Sequence, residues 1–338
     1  MSNALSKALE TRDWLLADGA TGTNLFNMGL MSGDAPEFWN EDEPDKIRAL
    51  YRGAVDAGSD LFLTNSFGAN ASRLKLHDAA DKAYHFSKLA AELGREVADA
   101  AGRDVIVAGS VGPTGEIMGA AGTLSHESAV EMFEETAKGL MDGGADVLWV
   151  ETISAPEEFL AAAEAFGNID APWCGTMSFD TAGRTMMGVT SSAMVKLVEE
   201  LPNPPIAFGA NCGTGASDLL RTVLGFSAQG TERHLIAKGN AGIPKYVDGH
   251  IHYDGTPELM ADYAILARDC GAKIIGGCCG TMPEHLRSMR EALETRSRGA
   301  RPTLDQITTA LGGFSSESDG TGDATGPTRE RRSRRRRA

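Results

Sequence analysis

Asp142-Gly-Gly-Ala-Asp-Val-Leu-Trp-Val-Glu-Thr152 holds the pattern that decides the fold. A helical stretch, residues 128–142, stops at two glycines, and a short run of β-formers follows and ends in an acid. The same cycle recurs along the chain. The expected strands are residues 15–20, 60–66, 105–112, 146–152, 173–179, 207–213, 234–240 and 273–279. Helical patterns lie between them at 44–57, 82–101, 128–142, 156–165, 192–201, 257–270 and 283–295. Several open with proline in the first turn, as in Glu43-Pro44-Asp45, Ala155-Pro156-Glu157, Thr256-Pro257-Glu258 and Met282-Pro283-Glu284, a helix-start signal. Strands that alternate with helices imply βαβ units and a parallel sheet. Eight of them over this length match a (β/α)8 barrel, which takes ~250 residues. The rival, an open doubly wound sheet, would gather its polar strand ends at one crevice. The expectation is an α/β protein: a (β/α)8 TIM barrel over residues 1–312, then a disordered tail, residues 313–338. That tail is rich in Ser, Gly, Asp and Thr and ends in arginines.

Composition narrows the function. The 338 residues are 42% hydrophobic and 23% charged, enough for a sizeable core. The formal net charge is -15, although the last ten residues hold seven arginines against one glutamate. The body is therefore more acidic than the total, which disfavours nucleic acid as a partner. No run reaches the ~20 apolar residues of a membrane helix. The start, MSNALSKALETRDW, lacks the apolar centre of a secretion signal. Five cysteines, two of them adjacent, make a poor disulfide framework. A reducing, cytoplasmic setting and a metal or catalytic use of thiols fit better. A homo-oligomer is left open.

The polar residues converge. Asp18, Asn65, Glu151, Cys212, Asn240 and Cys278–Cys279 all fall at or near the C-terminal end of an expected strand. In a barrel those ends meet at one mouth, where the chemistry sits. Zinc favours thiolate ligands, and catalytic zinc keeps three protein ligands and one open position. Adjacent residues on a regular strand point to opposite faces. Cys278 and Cys279 can share an ion only if the backbone leaves strand geometry, which Gly276, Gly277 and Gly280 permit. A vicinal disulfide is the strained alternative, uncommon in reducing compartments. Cys212, Cys278 and Cys279 are therefore the expected Zn2+ ligands, while Cys174 and Cys270 read as small buried hydrophobes. The turn Asp18-Gly19-Ala20-Thr21-Gly22-Thr23 lacks the lysine and spacing of a phosphate loop. It offers a carboxylate beside exposed amides, which suits an amino acid. Glu151 closes an apolar strand and needs a partner, either a ligand or a lysine or arginine nearby.

At this point the residues resemble the homocysteine S-methyltransferases, a family that includes a betaine-dependent enzyme and the homocysteine-binding module of cobalamin-dependent methionine synthase. The resemblance rests on Asp18-Gly-Ala-Thr-Gly-Thr23, Thr64-Asn-Ser-Phe67, Gly112-Pro113, Glu151-Thr152, Asn211-Cys-Gly213, Gly239-Asn-Ala-Gly-Ile-Pro244 and Gly276-Gly-Cys-Cys-Gly-Thr281. It implies a (β/α)8 barrel whose zinc sits on Cys212, Cys278 and Cys279, the catalytic thiolates. It implies that Asp18 and Glu151 hold the ammonium of homocysteine. Backbone amides near Gly19, Ala20, Thr21, Thr64 and Asn65 would hold its carboxylate. Trp39, in Pro36-Glu-Phe-Trp-Asn40, resembles the donor-pocket tryptophan of the betaine enzyme, and an aromatic face suits a quaternary ammonium. Thr152 and Gly68 stand where that enzyme has tyrosines, and there the chain looks more like the methionine synthase module. The implied methyl donor is a small betaine-like compound or, alternatively, a methylcobalamin-carrying protein partner. A hydrolytic zinc barrel would need a general base beside its water, and no histidine ends one of the eight expected strands. A zinc-storing or nucleic-acid-binding protein working through its arginine tail fits poorly with the acidic body.

Overall fold

The computed structural model describes residues 3–119, 122–243, 245–247 and 250–321. Among these residues ten strands are present: β1 (Leu15–Leu16), β2 (Leu61–Leu63), β3 (Ile106–Val111), β4 (Val147–Ile153), β5 (Trp173–Met177), β6 (Ala207–Cys212), β7 (His234–Gly239), β8 (Lys245–Val247), β9 (His250–His252) and β10 (Ala272–Gly277). Eight of them form one parallel sheet in the order β1-β10-β7-β6-β5-β4-β3-β2, and β8 and β9 pair as a separate antiparallel hairpin. The expected TIM barrel is the observed fold. All six residues of β3 are buried, as befits a strand with the barrel interior on one side and helices on the other.

The alternation within strands divides the core. Leu61, Leu63, Ile106, Ala108, Val147, Trp149, Cys174, Ala207, Ile236 and Ile274 fill the interior. The opposite faces pack against the helices in a larger cluster that includes Phe62, Phe133, Phe166 and Phe208. Proline occupies the first turn of Pro44–Asp56, Pro156–Asn168, Pro257–Asp269 and Pro283–Thr295, as read from the sequence. The helices Ala83–Asp99, His126–Asp142, Ser191–Glu199 and Ala216–Ala228 belong to the same shell, while Leu5 and Leu9 of the helix Ala4–Thr11 pack with the interior residues.

The barrel closes at a seam between β1 and β2. The Asp60 N–H donates to the Leu16 carbonyl at 2.6 Å, and Asp60 Oδ2 accepts the Leu16 N–H at 2.8 Å. Arg12 and Arg290 pair with the same carboxylate at 2.7 and 3.0 Å.

Residues 313–321, the described part of the expected tail, run along the helix Ala216–Ala228. Ser315 N–H donates to Asp218, Arg221 donates to the Ser316 carbonyl, and the Arg221 guanidinium lies over the Phe314 ring. The arginine-rich segment lies outside the described residues. Among those residues no helix is long and apolar enough to cross a membrane.

Candidate metal centre and substrate site

Three sulfurs meet at the C-terminal mouth. Cys212, Cys278 and Cys279 place their Sγ atoms within 4.8 Å of one another, and the Cys212–Cys279 separation is 3.9 Å. Tetrahedral zinc with Zn–S bonds of ~2.3 Å sets its sulfurs ~3.8 Å apart. The spacing thus fits a shared ion and is far too long for a disulfide; all three cysteines are free.

Two of the three sulfurs get there by leaving strand geometry. Asn211 is in phase with the inward face of β6, so Cys212 would ordinarily point outward. Its backbone instead takes φ +62°, a left-handed conformation costly for a non-glycine residue. The next residue, Gly213, repeats the sign at φ +73°. Cys278 follows the inward phase of Ile274 and Gly276, just past the end of β10. Its N–H bonds the Gly239 carbonyl at 2.7 Å, and its own carbonyl accepts from Thr281 N–H at 3.1 Å. The tight turn this makes carries Cys279 back towards Cys212. Gly280 ends the turn at φ +78°, and a β-carbon there would collide with the Tyr253 ring. The Tyr253 hydroxyl hydrogen-bonds Cys279. Hydrogen bonds from Cys212 and then Cys278 lower the Cys279 thiol, and the same contacts raise Cys212, so the three sulfurs titrate as one coupled group. Cys174 and Cys270 are buried elsewhere, and burial pushes each up to about 12.

Beneath the sulfurs lies a layer of inward-facing polar side chains. Glu151, two residues beyond Trp149, accepts a hydrogen bond from Ser110 Oγ at 2.5 Å. Burial, against the opposing pull of Lys238, raises its carboxyl to about 7. Asp18 Oδ2 accepts the Leu63 N–H at 2.9 Å, and Oδ1 pairs with Lys238 Nζ. Burial raises the Asp18 carboxyl, while Asp18 and Glu151 raise the Lys238 ammonium against its own burial. Both directions report one imbalance: two carboxyl groups share a single ammonium. Asn211 spans the layer and donates towards Cys278 Sγ at 3.7 Å.

The expected carboxylate cradle is narrower than the sequence suggested. Ala20 N–H donates to the Thr281 carbonyl, Thr64 N–H to the Ala108 carbonyl, and Asn65 N–H to the Tyr51 hydroxyl at 2.7 Å. Only Gly19 and Thr21, of the five expected residues, keep an N–H without a hydrogen-bond partner among the described residues. The Asn65 side chain ties the first loop down by donating to the Pro36 carbonyl and to Asn40 Oδ1. Trp39, in that loop, packs against the outer core and already carries the Lys46 ammonium 4.2 Å above its ring. No hydrogen bond or ring contact joins it to the sulfurs among the described residues.

Four residues of the site escaped the sequence reading. Lys238 could have been found: a lysine in Leu235-Ile-Ala-Lys-Gly239, in phase with inward Ile236, is as anomalous as Glu151. Asn211 and Ser110 could have been placed by the same phase argument. Tyr253 carries no such signal, because it comes from a loop.

Fold and site together define a (β/α)8 barrel with a thiol cluster and buried carboxylates at its catalytic mouth. The chain belongs to the homocysteine S-methyltransferase family, whose sequence pattern it matches over residues 15–293. It is 31% identical over 325 residues to the methionine synthase of Mycobacterium tuberculosis (strain ATCC 25618 / H37Rv), covering 88% of this chain and 26% of that protein. The Mycobacterium leprae (strain TN) methionine synthase is 30% identical over 304 residues, covering 85% and 25%. The chain thus spans about a quarter of the length of these relatives. Among solved structures, the metallated form of the homocysteine methyltransferase MmuM from Escherichia coli superposes with a TM-score of 0.71 at 25% identity, over 86% of this chain and 99% of that one.

Proposed function

We propose that the protein is a zinc-dependent homocysteine S-methyltransferase that forms methionine, with betaine or a similar small onium compound as methyl donor. The observation that carries the reading is the Cys212–Cys278–Cys279 triangle, at zinc spacing, above the buried Asp18 and the half-buried Glu151. The likeness to a homocysteine methyltransferase with a metallated form supports a metal at this place, and three thiolates favour zinc. When bound there, zinc supplies the Lewis acidity that lets a substrate thiol ionise at neutral pH and stay nucleophilic. The protein's own residues bind and orient. Glu151 takes the ammonium group of the amino acid, and the free Gly19 and Thr21 amides face its carboxylate. Ser110 holds one Glu151 oxygen so that the other is presented. Tyr253 and Asn211 fix the sulfurs that the substrate thiol must join. Once the amino acid is fixed at both ends, its sulfur has one line of approach to an electrophilic methyl group.

A second reading is favoured by one comparison. The two curated relatives are methionine synthases, and in this reading the methyl group arrives on a methylcobalamin-carrying protein. Zinc-loaded protein should be incubated with homocysteine and each donor in turn, and methionine measured. Turnover with betaine alone supports the first reading; turnover only with a methylcobalamin protein supports the second. No methionine from any donor, with zinc and homocysteine both bound, sinks the two together.

A further inference from the structure

Lys238 is the buried cation that this chemistry does not use. It lies on β7, and its side chain is 3% exposed in the polar layer under the thiol cluster. It extends beneath the mouth past Trp149, with Nζ 5.8 Å from the ring centroid, and pairs with Asp18. Asp18 has a protein partner on each oxygen: Oδ1 meets Lys238 and Oδ2 accepts the Leu63 N–H. Glu151 differs. Ser110 engages Oε1, and no protein group engages Oε2 among the described residues.

A buried carboxylate that already has an ammonium partner gains little from a second one, and separating the pair leaves two charges uncompensated. A carboxylate with one open oxygen gains a charge-assisted hydrogen bond outright. We infer that Lys238 is a positioning residue that divides the two carboxylates: it holds Asp18 as part of the barrel, so that Glu151 alone receives the ammonium of the substrate amino acid. This rests on the amino acid reading of the site. It departs from the expectation that Asp18 and Glu151 share that group. Lys238 also keeps the layer near charge balance, offsetting one carboxylate while the substrate offsets the other.

The test is a double-mutant cycle on the zinc-loaded full chain, read by calorimetric binding of homocysteine. Glu151→Gln alone should weaken binding about 10- to 100-fold, the loss of one charged hydrogen bond. Lys238→Met frees Asp18 to take the ammonium, so Glu151→Gln in that background should cost less than about threefold. An equal loss in both backgrounds overturns the inference. The Asp18→Asn/Lys238→Met double variant removes the pair together and guards against misfolding of the single variant. It should unfold near the temperature of the parent protein and bind homocysteine within about threefold of it. A tenfold loss there, with zinc retained, also overturns the inference. Bound zinc, measured in parallel, should not change in any of these variants. If the parent protein takes up zinc but no homocysteine, the functional reading fails. The pairing is then judged by unfolding temperature alone: Asp18→Asn and Lys238→Met each lower it, and the double variant restores it.

Discussion

The Asn211 side chain clamps Thr152. Its Oδ1 accepts the Thr152 N–H at 2.9 Å, and its Nδ2 donates to Thr152 Oγ1 at 2.8 Å. Thr152 needs the clamp, because its φ of +60° is left-handed, a conformation that costs ~1–3 kcal/mol. The twist comes immediately after Glu151 and helps set where that carboxylate points. Asn211 therefore ties the strand end that carries Glu151 to the thiol cluster through one amide. Asn211→Ala should lower stability by about 1–3 kcal/mol and raise the homocysteine KM several-fold while leaving most of the zinc bound. Denaturant unfolding and steady-state kinetics read the two effects. A KM within twofold of the parent would mean that Thr152 holds its backbone without help.

The thiol triangle makes the simplest demand. Cys278→Ser leaves two sulfurs and a weak oxygen ligand, and the Cys278 position also anchors the turn that delivers Cys279. Zinc measured by elemental analysis should fall to a small fraction of one ion per chain, and methionine formation should be lost with it. Full zinc in this variant would break the ligand assignment. Chelation of the parent protein should abolish activity, and zinc should restore it.

At the other end of the barrel, Asp60 joins the seam that the sheet itself leaves short. One carboxylate accepts the Leu16 N–H and pairs with Arg12 and Arg290. Breaking such a buried pair by removing one partner costs about 3–5 kcal/mol. Asp60→Ala should lose that much in denaturant unfolding, yet keep its zinc and its homocysteine KM, because Asp60 lies far down the β1–β2 seam from the sulfurs. If KM and stability fall together, the seam and the mouth are coupled more tightly than the geometry implies.

Much of this was legible in the sequence, for a physical reason. Parallel strands buried on both faces and helices opened by proline are local patterns, so the eight-strand cycle could be read without knowing any contact. Cys212 and Cys278–Cys279 stood out because thiols at strand ends have no ordinary packing role in such a barrel. What stayed hidden depends on pairing across the barrel. The Lys238–Asp18 pair joins residues 220 positions apart, and nothing local says that Asp18 is already taken. The expected amides at Thr64 and Asn65 looked open for the same reason: the Ala108 carbonyl and Tyr51 hydroxyl that occupy them come from elsewhere. Trp39 looked like an open aromatic face until Lys46 was seen above it.

Glu151 makes binding sensitive to pH in a stated direction. Burial lifts its carboxyl from the usual range to about 7, with the Cys278 and Asp18 charges adding and Lys238 opposing. An unfolded chain would release that proton near pH ~4.3. Between there and pH 7 the folded protein holds a proton that the unfolded chain has lost. The stability this lends is full below the unfolded value and is lost as pH rises through the folded one. Substrate binding runs the other way, because an ammonium group needs the carboxylate ionised. Homocysteine affinity should therefore climb between about pH 6 and 8, approaching a tenfold change per unit on the acid side. The thiol also sheds a proton on joining a metal, and that contribution climbs in the same direction. Glu151→Gln separates the two, since it keeps the thiol contribution and removes the carboxyl. The parent protein should show the steeper slope of affinity against pH, by up to one proton, in calorimetry repeated in buffers of different ionisation enthalpy. Equal slopes for parent and variant would place the titrating group elsewhere and remove Glu151 from the ammonium site.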